Sequence, residues 1–270
     1  MKITFLGGGN MAAALIGGML KQGFKAAEIQ VVELSAEGRA KLEAGFGVRA
    51  VGVIDDASLD CDVLVLAVKP QQLKDAVTPI AGRLASQVVV SIAAGLRLAD
   101  ISRWLGGYEA LVRAMPNTPA LIGAGITGLF ANAAVSETGR EAAEKVLSAV
   151  GSTVWVADEA LIDSVTAVSG SGPAYVFHFI ECLLAAGESM GFDGATARKL
   201  AIDTVLGAAK LAAASDESPA ILRERVTSKG GTTAAALASF AADGFPAVVE
   251  RAVLAAEARG RELGEQLGRD

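Results

Sequence analysis

Short apolar runs alternate with helical patterns through the first 158 residues. Ile3, Phe5 and Leu6 read as a buried strand, and Ala13, Ile16 and Leu20 follow at helical spacing. Glu28–Leu34 reads as a second strand, and Ser35 is placed to cap a helix running to about Ala44. Asp62–Val68 is a continuous apolar run, the mark of a strand buried on both faces of a parallel sheet. The pattern then predicts a helix over Gln71–Leu84, a strand over Gln87–Ile92 and a helix over Glu137–Val150. Leu111–Ala114, Ile126–Phe130 and Thr153–Val156 read as further short strands. Alternation of this kind predicts an α/β domain over 1–158, a doubly wound parallel sheet with helices on both faces.

From about Glu159 no strand pattern recurs. Ala174–Met190 is apolar nearly all round, which predicts a helix buried on every side. Ala197, Leu200, Ala201, Val205, Ala208 and Leu211 follow helical spacing behind an Asp193 cap, and Leu222–Val226, Ala234–Phe240 and Ala247–Leu267 continue in the same manner. The reading for 159–270 is therefore an all-helical domain. With so little polar decoration, its surplus apolar surface is expected to pack on another subunit.

The strand-to-helix turn at the start carries the first chemistry. In Leu6-Gly7-Gly8-Gly9-Asn10-Met11-Ala12, residues Gly7, Gly9 and Ala12 fit G-x-G-x-x-[G/A]. The first glycine makes the tight turn, the second admits a pyrophosphate, and the small third residue lets helix and strand pack closely. A chain with 31 glycines produces such spacings by chance, so the weight lies in the strand before and the helix after. The domain is thus expected to be a Rossmann-type dinucleotide-binding domain. Glu33 closes the second strand, where a carboxylate can meet the adenosine ribose; a solvated strand-end glutamate is the plainer alternative.

Composition removes other classes. A net charge of −6 leaves no electrostatic footprint for nucleic acid, and no apolar run approaches the roughly 18 residues of a membrane span. No signal-peptide pattern opens the chain, and Cys61 and Cys182 stand far apart, so free thiols in a reducing cytoplasm are expected. No metal-ligand cluster or nucleophile elbow is present. The single histidine, His178, lies within the apolar helix, where a core or interface role outweighs catalysis.

Four further turns are site material, each with an ordinary structural alternative. Ala67-Val68-Lys69-Pro70 leaves the carboxyl end of a strand, where open α/β sheets hold ligands. Met115-Pro116-Asn117-Thr118-Pro119 is stiffened by two prolines and presents fixed polar groups. Ser169-Gly170-Ser171-Gly172-Pro173 opens the long apolar helix, where free N–H groups suit a carboxylate. Thr227-Ser228-Lys229-Gly230-Gly231-Thr232-Thr233 combines exposed backbone N–H groups with hydroxyls but lacks P-loop spacing. Two such loops in one helical domain point to a small anionic substrate.

Taken together, order and spacing make the chain resemble the pyrroline-5-carboxylate reductases from end to end, above all in Val226–Thr233. The resemblance implies reduction of L-Δ1-pyrroline-5-carboxylate to L-proline, the last step of proline synthesis, by NADPH, which the resemblance prefers, or NADH. It also implies homodimers through the C-terminal helices, often assembled into decamers, with the substrate pocket at that interface. Carried over by position, Leu6, Gly7, Gly8, Gly9, Asn10, Met11, Ala67, Val68, Lys69 and Pro70 hold the dinucleotide, with Glu33, Ser35 and Asn117 beside it. Ser171, Gly172, Ser228, Gly230, Gly231, Thr232 and Thr233 are expected at the substrate, and Thr233 matches the threonine expected to hydrogen-bond the ring nitrogen.

Two positions depart from the family pattern. Glu33-Leu34-Ser35 puts a carboxylate and an apolar residue where many members carry basic or small polar groups, although Ser35 and Arg39 remain within reach of a 2′-phosphate. Lys229 replaces a common proline. A 3-hydroxyacid or 6-phosphogluconate dehydrogenase-like enzyme is the rival oxidoreductase, but the long helix offers His178 and Glu181 in place of the lysine such enzymes need. A non-catalytic dinucleotide-binding scaffold would leave the two hydroxyl-rich loops without a use.

Overall fold

The structure, a computed structural model, describes residues 1–269. Eight strands form one sheet: β1 (Ile3–Leu6), β2 (Ile29–Val32), β3 (Arg49–Val51), β4 (Val63–Leu66), β5 (Val88–Ser91), β6 (Leu111–Met115), β7 (Gly125–Ala131) and β8 (Gly151–Trp155). Their order is β3-β2-β1-β4-β5-β6-β7-β8. The first six are parallel, with Leu6 level with Val32 on one side and Leu66 on the other. The expectation of a wholly parallel sheet is corrected at its far edge: β7 runs antiparallel to β6, and β8 runs parallel to β7. The short β6–β7 connection through Asn117 and Gly123 is the physical reason, because parallel neighbours need a long crossover.

Helices α1 (Asn10–Lys21), α2 (Ala36–Phe46), α3 (Asp56–Leu59), α4 (Leu73–Val77), α5 (Leu98–Trp104), α6 (Glu137–Leu147) and α7 (Leu161–Val165) accompany the sheet. Alternate residues of each strand feed two cores. Val63 and Val65 join Ile3, Phe5 and the α1 residues Leu15, Ile16 and Met19 on one face. Leu64 and Leu66 join Leu73, Val77, Ile101 and Trp104 on the other. This two-sided burial is what the unbroken apolar run at 62–68 announces. Ser35 caps α2 as expected, accepting from the Gly38 N–H at 3.2 Å. The single helix expected over Gln71–Leu84 is instead α4 between two short 3₁₀ turns, since Pro79 has no N–H to continue it. The short elements β3, α3 and α5 escape the periodicity altogether.

The remaining helices are α8 (Gly172–Ser189), α9 (Gly194–Ala213), α10 (Pro219–Arg225), α11 (Thr232–Ala242) and α12 (Phe245–Leu267). Asp193 caps α9 through the N–H groups of Ala195 and Thr196. The Thr196 hydroxyl and N–H hold its carboxyl below the ordinary aspartate pKa. The chain forms two compact units, Gly172–Leu254 and Met1–Ser171 together with the segment from Ala255 onward. In that segment Glu257 accepts from Ser164 at 2.5 Å, and Gly264 meets the Gly95 carbonyl so closely that no side chain would fit. The expected all-round burial of α8 is not met within one chain, where only Gly187 is buried and Phe177 is 61% exposed. Among the described residues, no single helix is long and apolar enough to cross a membrane.

The first unit holds a buried arginine between two carboxylates. Arg113 on β6 is 2% exposed and donates to Asp163 of α7 at 2.5 Å and Glu159 at 3.4 Å. Removing one member of a buried pair strands the other charge and destabilises by about 3–5 kcal/mol, whereas apolar replacement of both can be neutral. Arg113→Leu is expected to lose stability in that range by urea denaturation, and Arg113→Leu/Asp163→Leu to recover most of it. Equal losses in both would show that the pair's charges are not what the single variant exposes.

Candidate active site

Order β3-β2-β1-β4-β5 reverses direction between β1 and β4, and there the chain leaves the sheet for opposite faces. The crevice at such a switch point is where open α/β sheets bind ligands. Gly7 stands at its mouth with φ +101°, and its N–H donates to the Val32 carbonyl at 2.8 Å. A Cβ on Gly7 would lie 2.8 Å from the Ala67 carbonyl oxygen, so the position needs glycine both for its angle and for the close approach. A Cβ on Gly9 would meet nothing within 4 Å, which leaves open space above the turn. Gly9 is the N-cap of α1 and provides no capping side chain, so the first-turn N–H groups of Asn10, Met11 and Ala12 face that space. An anion, and a pyrophosphate in particular, fits this cradle. Ala67, Val68, Lys69 and Pro70 follow β4 on the neighbouring lip, with Lys69 exposed.

The β2 end differs from a simple ribose grip. Both oxygens of Glu33 are held inside the turn, Oε2 accepting from the Gly8 N–H at 3.0 Å and Oε1 from the Ser35 N–H at 2.8 Å. Arg39 donates to the carbonyls of Glu33 and Leu34 at 2.8 and 2.9 Å. Its guanidinium also packs against Gly52, where a Cβ would come within 3.0 Å. Each oxygen holds one backbone N–H, which ties the two turns together and leaves each a lone pair for a ribose hydroxyl, with the Arg39 cation beside them.

Asn117 lies at the end of β6, 9% exposed. Its Oδ1 accepts from the Ile126 N–H and its Nδ2 donates to the Ser169 carbonyl, each at 3.0 Å. Ser171 and Gly172 do not sit in an open loop, because Thr166–Gly170 is a π-helical turn and the Ser171 N–H donates to the Thr166 carbonyl at 2.8 Å. Sequence reasoning missed Arg113, Asp163 and Glu159 next to this turn. The signal was a lone arginine inside the apolar run Leu-Val-Arg-Ala-Met, which burial obliges to find a carboxylate.

In the second unit, Ser228, Gly230, Gly231, Thr232 and Thr233 come together at the start of α11. Gly230 takes φ +71°, and a Cβ on Gly231 would overlap the Ser228 hydroxyl. Gly231 caps α11 without a side chain, so the N–H groups of the first turn and the hydroxyls of Ser228, Thr232 and Thr233 share one spot. His178 pairs with Glu181 at 3.1 Å on an exposed face of α8. Among the described residues no metal-ligand cluster occurs. A cavity of about 410 Å³ lies at the amino ends of the strands between Met1, Asp62 and Ser136, at the opposite end of the sheet from Gly7.

A glycine turn on the switch point of a Rossmann-type sheet, with a helical domain after it, is the architecture of a dinucleotide-binding protein. The family model for pyrroline-5-carboxylate reductase dimerisation matches residues 159–263, and that for coenzyme F420-dependent NADP oxidoreductase matches 2–95. The chain is 50% identical to the pyrroline-5-carboxylate reductase of Pseudomonas aeruginosa, covering 99% of this chain and 98% of the relative. It is similar to the solved pyrroline-5-carboxylate reductase of Coxiella burnetii, at 39% identity and TM-score 0.92, covering 97% and 98% of the two chains. The Plasmodium falciparum pyrroline carboxylate reductase, solved with NADP bound, matches at 29% identity and TM-score 0.86, covering 98% of each chain. The chain belongs to the pyrroline-5-carboxylate reductase family.

The two glycines make opposite predictions. Gly7→Ala is expected to destabilise by about 1–3 kcal/mol, since it strains a positive φ and presses on Ala67. Gly9→Ala is expected to keep stability within about 0.5 kcal/mol yet weaken dinucleotide binding at least about tenfold. Thermal melts and a fluorescence titration separate the two, and unchanged binding in Gly9→Ala would move the pyrophosphate elsewhere.

Proposed function

We infer that the protein reduces L-Δ1-pyrroline-5-carboxylate to L-proline with a nicotinamide dinucleotide, acting in the cytoplasm as the last step of proline synthesis. The observation that carries this reading is the co-linear 50% identity to a pyrroline-5-carboxylate reductase over 99% of the chain. We divide the chain by role as 1–158 for the dinucleotide and 159–270 for dimerisation and substrate.

The dinucleotide, when bound, supplies a hydride for the imine carbon. This chain's own groups do the rest. The first-turn N–H groups of α1 and the open face of Gly9 hold the pyrophosphate. Asn10, Met11 and Ala67–Pro70 frame the crevice on its two lips. The N–H groups at the start of α11, with the hydroxyls of Ser228 and Thr232, receive the ring carboxylate, and Ser171 and Gly172 are assigned to the substrate as well. Thr233 sets its hydroxyl beside the ring nitrogen, which is protonated from solvent before hydride reaches the carbon and so ends as the neutral amine. A protonated imine already accepts hydride well, so alignment is the main task, and it can supply roughly 7–11 kcal/mol of the barrier. No catalytic histidine is required.

NADPH is the preferred form in this reading. Glu33 is engaged by Gly8 and Ser35, whereas the Arg39 guanidinium lies at the adenosine end, where a 2′-phosphate needs a cation. The active unit is a homodimer joined through the C-terminal helices. Its support is an unfilled apolar demand: in Gly172–Leu254 only Gly187, Ala197 and Ala201 are buried, while Phe177, Phe179, Leu206, Leu211 and Val248 are exposed.

Purified protein with pyrroline-5-carboxylate is expected to oxidise NADPH faster than NADH, followed at the nicotinamide absorbance. No oxidation of either would end this reading, and preference for NADH would end the Arg39 assignment. Thr233→Ala is expected to lower kcat about ten- to a hundredfold with NADPH affinity kept; parallel loss of both would make Thr233 structural. Sedimentation is expected to show dimers or rings of dimers, and a stable active monomer would refute the interface.

A further inference from the structure

Pro173 stands in the first turn of α8, and helical structure continues on its N-terminal side through the π-turn and α7. A proline within a helix creates two problems four residues earlier. It brings no N–H to the carbonyl of Ser169, and its ring presses on that carbonyl. The chain answers both. The helix widens into the π-turn at Thr166–Gly170, which moves the Ser171 N–H onto the Thr166 carbonyl. The Ser169 carbonyl then takes its donor from 52 residues away, the Nδ2 of Asn117 at 3.0 Å.

Asn117 is built for this contact. It precedes the 3₁₀ turn Thr118–Ile122 but makes no capping bond to it, although asparagine is among the best helix-capping residues. Its Oδ1 accepts instead from the Ile126 N–H at the start of β7. Flipping the amide would set oxygen against the Ser169 carbonyl and NH₂ against the Ile126 N–H, so the two partners fix its orientation between them. Met115, two residues earlier, packs where a Cβ on Gly170 would fall, 2.7 Å away. Asn117 is thus held from the sheet side and grips the π-turn at one backbone atom.

We propose that Asn117 is a positioning residue for the Ser169–Gly172 segment: it supplies the hydrogen bond that Pro173 withholds from the Ser169 carbonyl and so fixes where Ser171 and Gly172 stand for the substrate. The Met-Pro-Asn-Thr-Pro and Ser-Gly-Ser-Gly-Pro motifs are then two halves of one device. The role at the substrate rests on the reaction proposed above; the hydrogen-bonding role does not. This places Asn117 behind the substrate segment and not on the cofactor.

The test uses the full-length enzyme. Asn117→Ala is expected to raise KM for pyrroline-5-carboxylate about tenfold, the worth of one buried hydrogen bond, with the NADPH dissociation constant within about twofold. Hydrogen exchange over residues 166–174, measured without substrate, is expected to quicken about tenfold while β1 and residues 67–70 keep wild-type rates. Adding Pro173→Ala restores an N–H opposite Ser169 and is expected to bring KM and exchange back to within about threefold of wild type. Asn117→Asp keeps the acceptor for Ile126 and turns a carboxylate oxygen towards the Ser169 carbonyl; should the alanine variant not fold, this one is expected to show the same KM rise. Loss of NADPH affinity in parallel with KM would make Asn117 a cofactor ligand and overturn the proposal. Unchanged exchange at 166–174, or no recovery with Pro173→Ala, would overturn it as well. Wild-type protein without turnover would refute the proposed reaction, and the exchange measurements would still decide the hydrogen-bonding role.

Discussion

The close approach of Gly7 to Ala67 is the constraint on which the cofactor end depends. Two parallel strands lie side by side at Leu6 and Leu66, and the chain leaves them for opposite faces of the sheet. The crevice between the departing chains is narrow because nothing larger than hydrogen separates Gly7 from the Ala67 carbonyl. Both cores pull the turn down: Phe5 and Val65 are drawn to one side, Leu6 and Leu66 to the other. Hydrophobic burial therefore sets the position of the α1 N-terminus, and the dipole and unpaired N–H groups there are a by-product of packing that a pyrophosphate can use.

The second unit obeys the opposite logic. Its helices are as apolar as a core but bury almost nothing within one chain, which is the demand that the proposed dimer meets. At about 25 cal/mol per Å² of apolar surface removed from water, faces carrying Phe177, Phe179, Leu206 and Val248 provide ample drive for association. Placing polar groups such as Ser228, Thr232 and Thr233 in a domain of this kind has a chemical advantage. In the proposed dimer, association would exclude water there, and hydrogen bonds from backbone N–H groups to a carboxylate strengthen where water is absent.

Most of the fold was legible because burial writes itself as period. Strands buried on both faces gave unbroken apolar runs at 62–68 and 87–92, and the glycine turn stood between a strand and a helix as its geometry demands. What stayed hidden had no period to show. β3 and α3 span three and four residues, too few for either repeat. The reversal of β7 depends on the length of a connection, and the role of Glu33 depends on which N–H groups lie nearby. A carboxylate at the end of β2 looks the same in sequence whether it faces a ribose or braces Gly8 and Ser35.

The polar residues set in apolar surroundings follow one rule. Arg113 within β6, Asp163 within α7 and Asn117 beside Pro116 each sit where a hydrophobic residue would pack more cheaply, so each is retained for a partner that only it can satisfy. Both partnerships run from β6 and its following turn to α7 and its π-turn. Hydrophobic contact there is non-directional and could not fix one rotational setting of α7 against β6 and β7, where a Cβ on Gly128 would already lie 2.6 Å from Val165. An ion pair and an amide with opposite ends can. The Ser169 carbonyl in the π-turn therefore takes its setting from an amide more than 50 positions upstream.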